Sequence, residues 1–245
     1  MKILANKEYA YWLADQTFEK EAYKFPEHNT TYNKIKNYLD VNYIQNESIY
    51  KNKKCIVIGN GGSVLDSEKG KEIDKFDLIV RTNLARFGGF EKYVGSRTDV
   101  RFLSHKTFGN TLDKNYSAYD ENYIPNSKSH HLIIRSASNI GSMVPGFAKN
   151  QKHTVSILDT PYNNHLDKLA SNNHYCSVGF SAIQTMLDLG CDVHMCGFDF
   201  YTPNKRYHYF EECSRIVQKA HLNHSIGQEK EYYLQLIKQN KIKLF

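Results

Sequence analysis

The chain has few of the features that mark secreted or membrane proteins. Its five cysteines are an odd number and form no CxxC pair, which argues against a zinc ribbon or a disulfide scaffold. No apolar run reaches the length of about eighteen residues that a membrane span needs, and the amino-terminal stretch becomes polar too early for a signal peptide. We therefore expect no transmembrane segment and a place in the cytoplasm, including the inner face of a membrane. A lumenal origin is expected only for a truncated piece of a longer chain.

Positive charge is present but not clustered. The formal net charge is +6, yet the basic residues are scattered and no long block of Lys and Arg occurs. This distribution favours a small anionic partner over nucleic acid. With 245 residues, of which 40% are hydrophobic and 13% aromatic, the chain can build one sizeable core, so one domain over residues 1–245 is expected. The oligomeric state is left open.

Short apolar runs alternate with connections long enough to be helices. Several of these runs lack the alternation of a half-exposed strand and are typical of a parallel sheet that is covered on both faces. We predict an α/β fold with a single, doubly wound, mostly parallel sheet of about seven strands and helices on both faces. The predicted strands are CIVIG, DLIVRTN, DVRFLSH, HLIIRSA, TVSILD, DVHMCGFDF and IKLF.

Two segments are predicted to lie outside this sheet. Residues 1–50 carry apolar residues at helical spacing, so we expect a helical amino-terminal extension packed on the domain. Residues 107–129 are polar and rich in turn-forming residues, which predicts a mobile loop over a site. The pair His130 and His131 precedes an apolar run and is expected on the surface, at the entry to a strand.

The first chemical signal is the turn after the first predicted strand, CIVIGNGGS. Gly61 lets the backbone approach a ligand, while Asn60 and Ser63 offer side-chain hydrogen bonds where open α/β sheets bind nucleotides. A dinucleotide fingerprint would need a small residue in place of Val64 and an acidic residue after the second strand, where residues 81–83 read Arg-Thr-Asn. An NAD-dependent oxidoreductase is therefore disfavoured. A glycine turn that binds no ligand stays open as an alternative.

Four motifs, in order along the chain, resemble those of the sialyltransferases. Residues 55–102, with CIVIGNGG and GFEKYVGSRTD, resemble the large sialyl motif of the eukaryotic-type enzymes, and YCSVGFSAIQTMLDLGCDVHMCGFDFY resembles the small motif. HYFE at 208–211 resembles the third motif, and His224 followed by Glu229 resembles the very small motif, H-x4-E. The stretches LGCDVHMCGFDFYTPNKRY and KIKLF are also similar to the compact bacterial sialyltransferases.

The resemblance implies a glycosyltransferase with a GT-A-like variant of the α/β fold. Its reaction would move sialic acid from CMP-sialic acid to a hydroxyl of a glycan or glycolipid acceptor, with inversion and with neither a metal nor another cofactor. Because the motifs specify the CMP end of the donor better than the sugar, CMP-Kdo or another CMP-nonulosonate is the alternative donor. A nucleotide-binding module without catalysis is a further alternative, although it would have no use for HYFE and H-x4-E.

The resemblance assigns the chemistry to two histidines. His224 would be the general base that takes the acceptor's proton, a task that suits imidazole near neutral pH, with Glu229 orienting its segment. His208 would face the leaving phosphate and stabilise or protonate it, whereas His221 has no role in the family. A zinc site would use the three histidines and Glu211, but His-x2-His without HExxH is a poor metal signature. No metal ligands are therefore predicted.

The donor carries a phosphate and a carboxylate, so its site should offer hydrogen-bond donors and a helix amino terminus. Ser177 and Gly179 open a predicted helix, and tyrosine hydroxyls can donate to the phosphate. Val178 departs from the family pattern, because its side chain cannot donate to the donor's carboxylate. The predicted donor-binding residues are Asn60, Gly61, Ser63, Asn83, Tyr175, Ser177, Gly179, Tyr201 and Tyr207.

Two cysteines also match the family. Cys55 and Cys191 correspond to the cysteines that the eukaryotic-type enzymes join in a bridge between the large and small motifs. In a reducing cytoplasm the same pair is expected to remain as thiols.

Overall fold

A single parallel sheet organises the chain. The computed structural model describes residues 1–21, 28–105, 107, 130–135, 153–170, 175–200, 206–210 and 224–245. The strands follow the order β5-β4-β3-β2-β1-β6-β7, and every neighbouring pair is parallel. The predicted α/β fold with seven strands is confirmed. The strands are β1 (Lys54–Ile58), β2 (Leu78–Thr82), β3 (Val100–Ser104), β4 (His131–Arg135), β5 (Thr154–Ile157), β6 (Asp192–Cys196) and β7 (Ile242–Leu244).

Helices cover both faces of the sheet, as the unbroken apolar strands predict. In β1, Val57 belongs to one buried hydrophobic cluster, whereas Ile56 and Ile58 belong to another on the opposite face. The helices are α1 (Lys7–Glu21), α2 (His28–Asn42), α3 (Gly70–Ile73), α4 (Glu91–Val94), α5 (Thr160–Ala170), α6 (Val178–Asp188) and α7 (Ile226–Lys238). Side chains of α5, α6 and α7 share the cluster of Val57, α3 and α4 share that of Ile56, and α1 and α2 pack over β3, β4 and β5.

The two flanking segments have different outcomes. Residues 1–50 contain α1 and α2, whose side chains Leu13, Ile35 and Leu39 are buried against the sheet. The predicted loop 107–129 lies outside the described residues except for its first residue. That loop and the single-domain assignment therefore stay predictions.

A buried polar network joins the amino-terminal segment to β4 and β5. The backbone N–H of His130 donates to Nδ1 of His153 at 2.9 Å, and Nε2 of His131 shares a hydrogen bond of 2.8 Å with the Ser156 hydroxyl. The Tyr50 hydroxyl contacts Nδ1 of His131. His130 is only 3% exposed and His131 only 8%, so their predicted surface position is wrong. Strand β4 lies inside the sheet, which buries even its first residues.

This network predicts that the protein loses stability in mild acid. Burial lowers the pKa of His130 to about 3 and that of His131 to about 4, from an ordinary value of 6.5. Because the unfolded chain takes up these protons first, the stabilisation is complete above about pH 6.5 and declines as the pH falls toward about 4. His131 alone accounts for a loss of about 2 kcal/mol between pH 7 and about pH 5.

Urea unfolding followed by circular dichroism at several pH values measures this slope. His131→Asn should flatten it, because the titrating group is removed, whereas His165→Asn on α5 should leave it unchanged. A wild-type protein as stable at pH 5 as at pH 7 would contradict the assignment.

Candidate active site

The candidate site lies at the carboxyl edge of the sheet, where the strand order reverses between β1 and β6. Ligands of open α/β sheets bind at such a reversal. The Gly59 N–H donates to the Cys196 carbonyl at 2.8 Å and the Gly61 N–H to the Gly197 carbonyl at 2.9 Å, so the two segments stay paired beyond the strand ends. A Cβ atom at Gly59 would lie 2.3 Å from the carbonyl oxygen of Gly197. Glycine is therefore required for this close approach.

Two asparagines of the predicted donor site end neighbouring strands. Nδ2 of Asn60 lies 3.5 Å from the Thr82 carbonyl, one residue before Asn83. Asn83 has a φ of 46°, in the left-handed region that asparagine tolerates. Its carbonyl accepts a hydrogen bond of 2.6 Å from Nη1 of Arg101. These contacts bring Asn60 and Asn83 together, as the sequence predicted.

Two buried arginines hold the loop between β2 and β3, and the sequence patterns did not reveal this role. Nη2 of Arg81 donates to the carbonyls of Val94 at 2.7 Å and Arg97 at 2.9 Å. Arg81 and Arg101 are adjacent in the β2–β3 register, and burial lowers the pKa of both guanidinium groups, that of Arg101 to about 9. The signal was available as two arginines within otherwise apolar strands.

The first turn of α6 is held by Glu229, which lies on α7. Oε1 of Glu229 accepts the Ser177 N–H at 2.7 Å, and Oε2 accepts the Ser177 hydroxyl at 2.6 Å. The Ser177 Oγ in turn accepts the Phe180 N–H at 3.0 Å and caps the helix. Glu229 is only 2% exposed, and burial raises its pKa although the hydrogen bonds from Ser177 oppose the shift. This carboxylate therefore fixes the helix end on which donor binding was predicted.

His224 is anchored to the same short segment. Its Nδ1 lies 2.9 Å from the carbonyl oxygen of Tyr175, a residue whose side chain is 64% exposed. Because a carbonyl can only accept, Nδ1 carries the proton, and Nε2 is left with the lone pair of a base. Glu229 thus affects His224 through residues 175–177 and not through a direct hydrogen bond.

His208 lies beside the glycine turn. The Tyr209 N–H donates to the Asn60 carbonyl at 2.8 Å, which ties residues 206–210 to that turn. The imidazole of His208 lies 4.3 Å from the Tyr207 ring and stacks on Phe210 at 5.1 Å, measured between ring centroids. The structure therefore groups His208 and Tyr207 with the asparagines, and His224 and Glu229 with the start of α6.

Some predicted residues cannot be compared with the structure. Tyr201, His221 and Glu211 lie outside the described residues, so their predicted roles and the zinc alternative stay untested. Across the residues that the structure describes, no three His, Cys, Asp or Glu side chains are grouped in a way that could hold a metal ion.

The two cysteines of the sialyl motifs are neighbours. A hydrogen bond between their thiols and burial raise the pKa of Cys55, and the same hydrogen bond lowers the pKa of Cys191. The Cys191 thiol also lies 3.2 Å from the Tyr50 carbonyl. Both residues are thiols in this structure, and the bridge that the resemblance implies stays a prediction.

A cavity of about 410 Å³ lies next to the site, between α7, β7 and the turn after β1. Ser63, Gly197 and Phe198 line it, together with apolar residues such as Leu234 and Phe245. Its lining does not include Asn60, Asn83, Ser177, His208 or His224. The cavity is therefore an alternative place for a ligand, distinct from the site predicted by the motifs.

The contact between Glu229 and Ser177 predicts a measurable loss of stability. Glu229→Gln keeps the size of the side chain but places an amide NH2 against one of the two Ser177 donors. We expect the free energy of unfolding to fall by about 1–3 kcal/mol, the cost of a buried donor left unpaired. Glu231→Gln, an exposed change on the same helix, should cost less than about 0.5 kcal/mol. Urea unfolding compares the two variants, and equal losses would show that the contact has no special weight.

Comparison with known proteins gives the same family as the motifs. The profile of glycosyltransferase family 29 (sialyltransferase) matches residues 4–241. The rat CMP-N-acetylneuraminate-beta-1,4-galactoside alpha-2,3-sialyltransferase is 27% identical over 213 residues, which are 76% of this chain and 55% of the relative. The human enzyme of the same name is 28% identical over the same shares. The mouse type 2 lactosamine alpha-2,3-sialyltransferase is 26% identical over 78% of this chain and 64% of the relative. The chain thus spans a little over half the length of the first relatives.

Solved structures agree on the fold. The crystal structure of a mammalian sialyltransferase has a TM-score of 0.65 at 20% identity and covers 100% of this chain and 90% of that one. A second crystal structure of a mammalian sialyltransferase, in complex with Gal-beta-1-3GalNAc-ortho-nitrophenol, has a TM-score of 0.64 at 20% identity.

The predicted cytoplasmic location is wrong, because the matched relatives are eukaryotic sialyltransferases of the Golgi lumen. Within the described ranges, none of the helices has both the length and the hydropathy needed to cross a bilayer. The profile match over residues 4–241, the order of the four motifs and the sheet topology lead to one conclusion. The chain belongs to glycosyltransferase family 29, the sialyltransferases.

Proposed function

We propose that this protein is an inverting, metal-independent sialyltransferase that moves sialic acid from CMP-sialic acid to a hydroxyl of an acceptor glycan or glycolipid. The observation that carries the proposal is the arrangement of His224. Its Nδ1–H is held by the Tyr175 carbonyl, so Nε2 is a base, and the same segment leads into the amino terminus of α6. A base is thereby placed beside an anion-binding helix end. The printed names of the relatives supply the donor, CMP-N-acetylneuraminate.

Donor binding is expected at the first turn of α6. The Ser177 hydroxyl donates to Glu229, and the Ser181 hydroxyl donates to the Ser177 carbonyl at 3.1 Å, so neither replaces the side-chain donor missing at Val178. The backbone N–H groups of Val178 and Gly179 are then the donors at this turn that can bind the carboxylate or phosphate. Their local dipole favours negative charge without a lysine or a metal.

The reaction needs a base on one side of the donor and a group that stabilises the phosphate on the other. The acceptor oxygen bonds to the anomeric carbon and passes its proton to Nε2 of His224, while the bond from that carbon to the CMP phosphate breaks and its electron pair leaves with CMP. His208, beside the Asn60 turn, stabilises or protonates the departing phosphate. Attack opposite the leaving group inverts the anomeric centre.

A transfer assay on the purified protein tests the proposal. The protein is incubated with CMP-N-acetylneuraminate and a lactosamine acceptor in EDTA, and the product is identified by mass spectrometry. We expect transfer to persist in the chelator. Activity that disappears in EDTA and returns with manganese or zinc would contradict metal independence. CMP-Kdo is assayed in parallel because Val178 leaves the carboxylate contact unusual, and a faster rate with it would favour the alternative donor.

The same assay on histidine variants tests the assigned roles. His224→Ala should lower the turnover rate about 10²- to 10⁴-fold, the usual contribution of a positioned base, with CMP affinity nearly intact. His208→Ala should also slow turnover, since the leaving phosphate loses a partner that matters mainly in the transition state. His165→Ala, on α5, serves as the control and should have no effect. Near-normal turnover in His224→Ala would refute the assignment of the base.

A further inference from the structure

Asp199 is a carboxylate at the strand-order reversal that the reaction proposed above does not use. It lies three residues beyond the end of β6 and is partly buried. Its Oδ2 accepts the Ser63 N–H at 2.9 Å, so it adds a third contact to the pairing between the segments that follow β1 and β6. The motif comparison assigns it no role.

The glycine turn is shaped around this carboxylate. A Cβ atom at Gly61 would lie 2.5 Å from Oδ2 of Asp199 and 2.6 Å from its Cγ. Any side chain at position 61 would therefore displace Asp199. The absence of a side chain at Gly61 serves the close approach of Asp199 as well as that of a ligand.

Asp199 also separates the site into two electrostatic regions. Its negative charge beside the turn disfavours a phosphate there, and the Ser63 N–H that could have bound an anion already donates to it. The amino terminus of α6 favours negative charge, and it is one aromatic ring away, because a Cβ at Gly179 would lie 2.8 Å from Cε1 of Phe198. The anionic part of a nucleotide thus belongs at α6, and a part that donates hydrogen bonds belongs at Asp199.

We propose that Asp199 binds the ribose hydroxyls of CMP and makes the donor site selective for ribonucleotides. In CMP the ribose lies next to the phosphate and carries two hydroxyl donors, which matches a carboxylate placed one ring from the helix end. A carboxylate beside a glycine turn binds ribose hydroxyls in the same way in dinucleotide-binding folds. The cytosine amino group is the other donor of the nucleotide, but it lies at the far end from the phosphate. This inference rests on the proposed use of a CMP donor.

Binding measured by calorimetry with CMP and 2′,3′-dideoxy-CMP tests the inference. The wild-type protein should bind CMP about ten- to a hundredfold more tightly than the dideoxy analogue, the effect of hydrogen bonds to a charged group. Asp199→Ala should weaken CMP binding by about the same factor and leave dideoxy-CMP binding unchanged. Asp199→Asn keeps an acceptor for the Ser63 N–H and guards against misfolding, and it should retain only part of the discrimination. Asp66→Ala removes the same charge from an exposed position on the 3₁₀ turn Gly62–Asp66 and should change neither affinity.

Each other outcome has a distinct meaning. Equal weakening of both nucleotides by Asp199→Ala would show that the carboxylate only holds the turn, and retained discrimination would show that another group binds the ribose; either result overturns the inference. Loss of discrimination between CMP and UMP, with the ribose preference kept, would assign Asp199 to the base instead. Failure of the wild-type protein to bind CMP at all would overturn the proposed function itself.

Discussion

The site depends on the buried contact between the Glu229 carboxylate and Ser177. A carboxylate that is 2% exposed accepts both the N–H and the hydroxyl of the residue that caps α6. His224 lies just before α7 and reaches the Tyr175 carbonyl, while Glu229 lies in the first turn of α7 and reaches Ser177. The spacing of H-x4-E is therefore the spacing needed to reach both ends of residues 175–177. One segment thus carries the orientation of the base and of the anion-binding helix end.

The opposite side of the site depends on backbone proximity. The glycines after β1 and β6 let two segments pair beyond the sheet, and this pairing positions Asn60. Arg101 holds the carbonyl of Asn83 from below, at the cost of a buried positive charge. Such a charge needs its hydrogen-bond acceptors in place, so the loop after β2 is held in one arrangement. Rigid support of this kind suits a site that must hold a donor while its bond breaks.

The fold could be predicted from the sequence because its strands are unbroken apolar runs, a pattern that depends on local composition. The burial of His130 and His131 could not, because a strand's position within the sheet is set by tertiary pairing. The same limit applies to Arg101, whose acceptors lie up to 18 residues away in sequence, and to Glu229, whose partner lies 52 residues away. The cytoplasmic location was wrong because it rested on signals that the chain lacks.

Hydrogen exchange measured by mass spectrometry, with and without CMP, tests the central claim that the nucleotide binds at the carboxyl edge of the sheet between the glycine turn and α6. The account predicts slower exchange on CMP binding at residues 59–63, 82–84 and 177–181, with no change when AMP replaces CMP. Protection confined to residues 233–237 and 244–245, which line the neighbouring cavity, would contradict it.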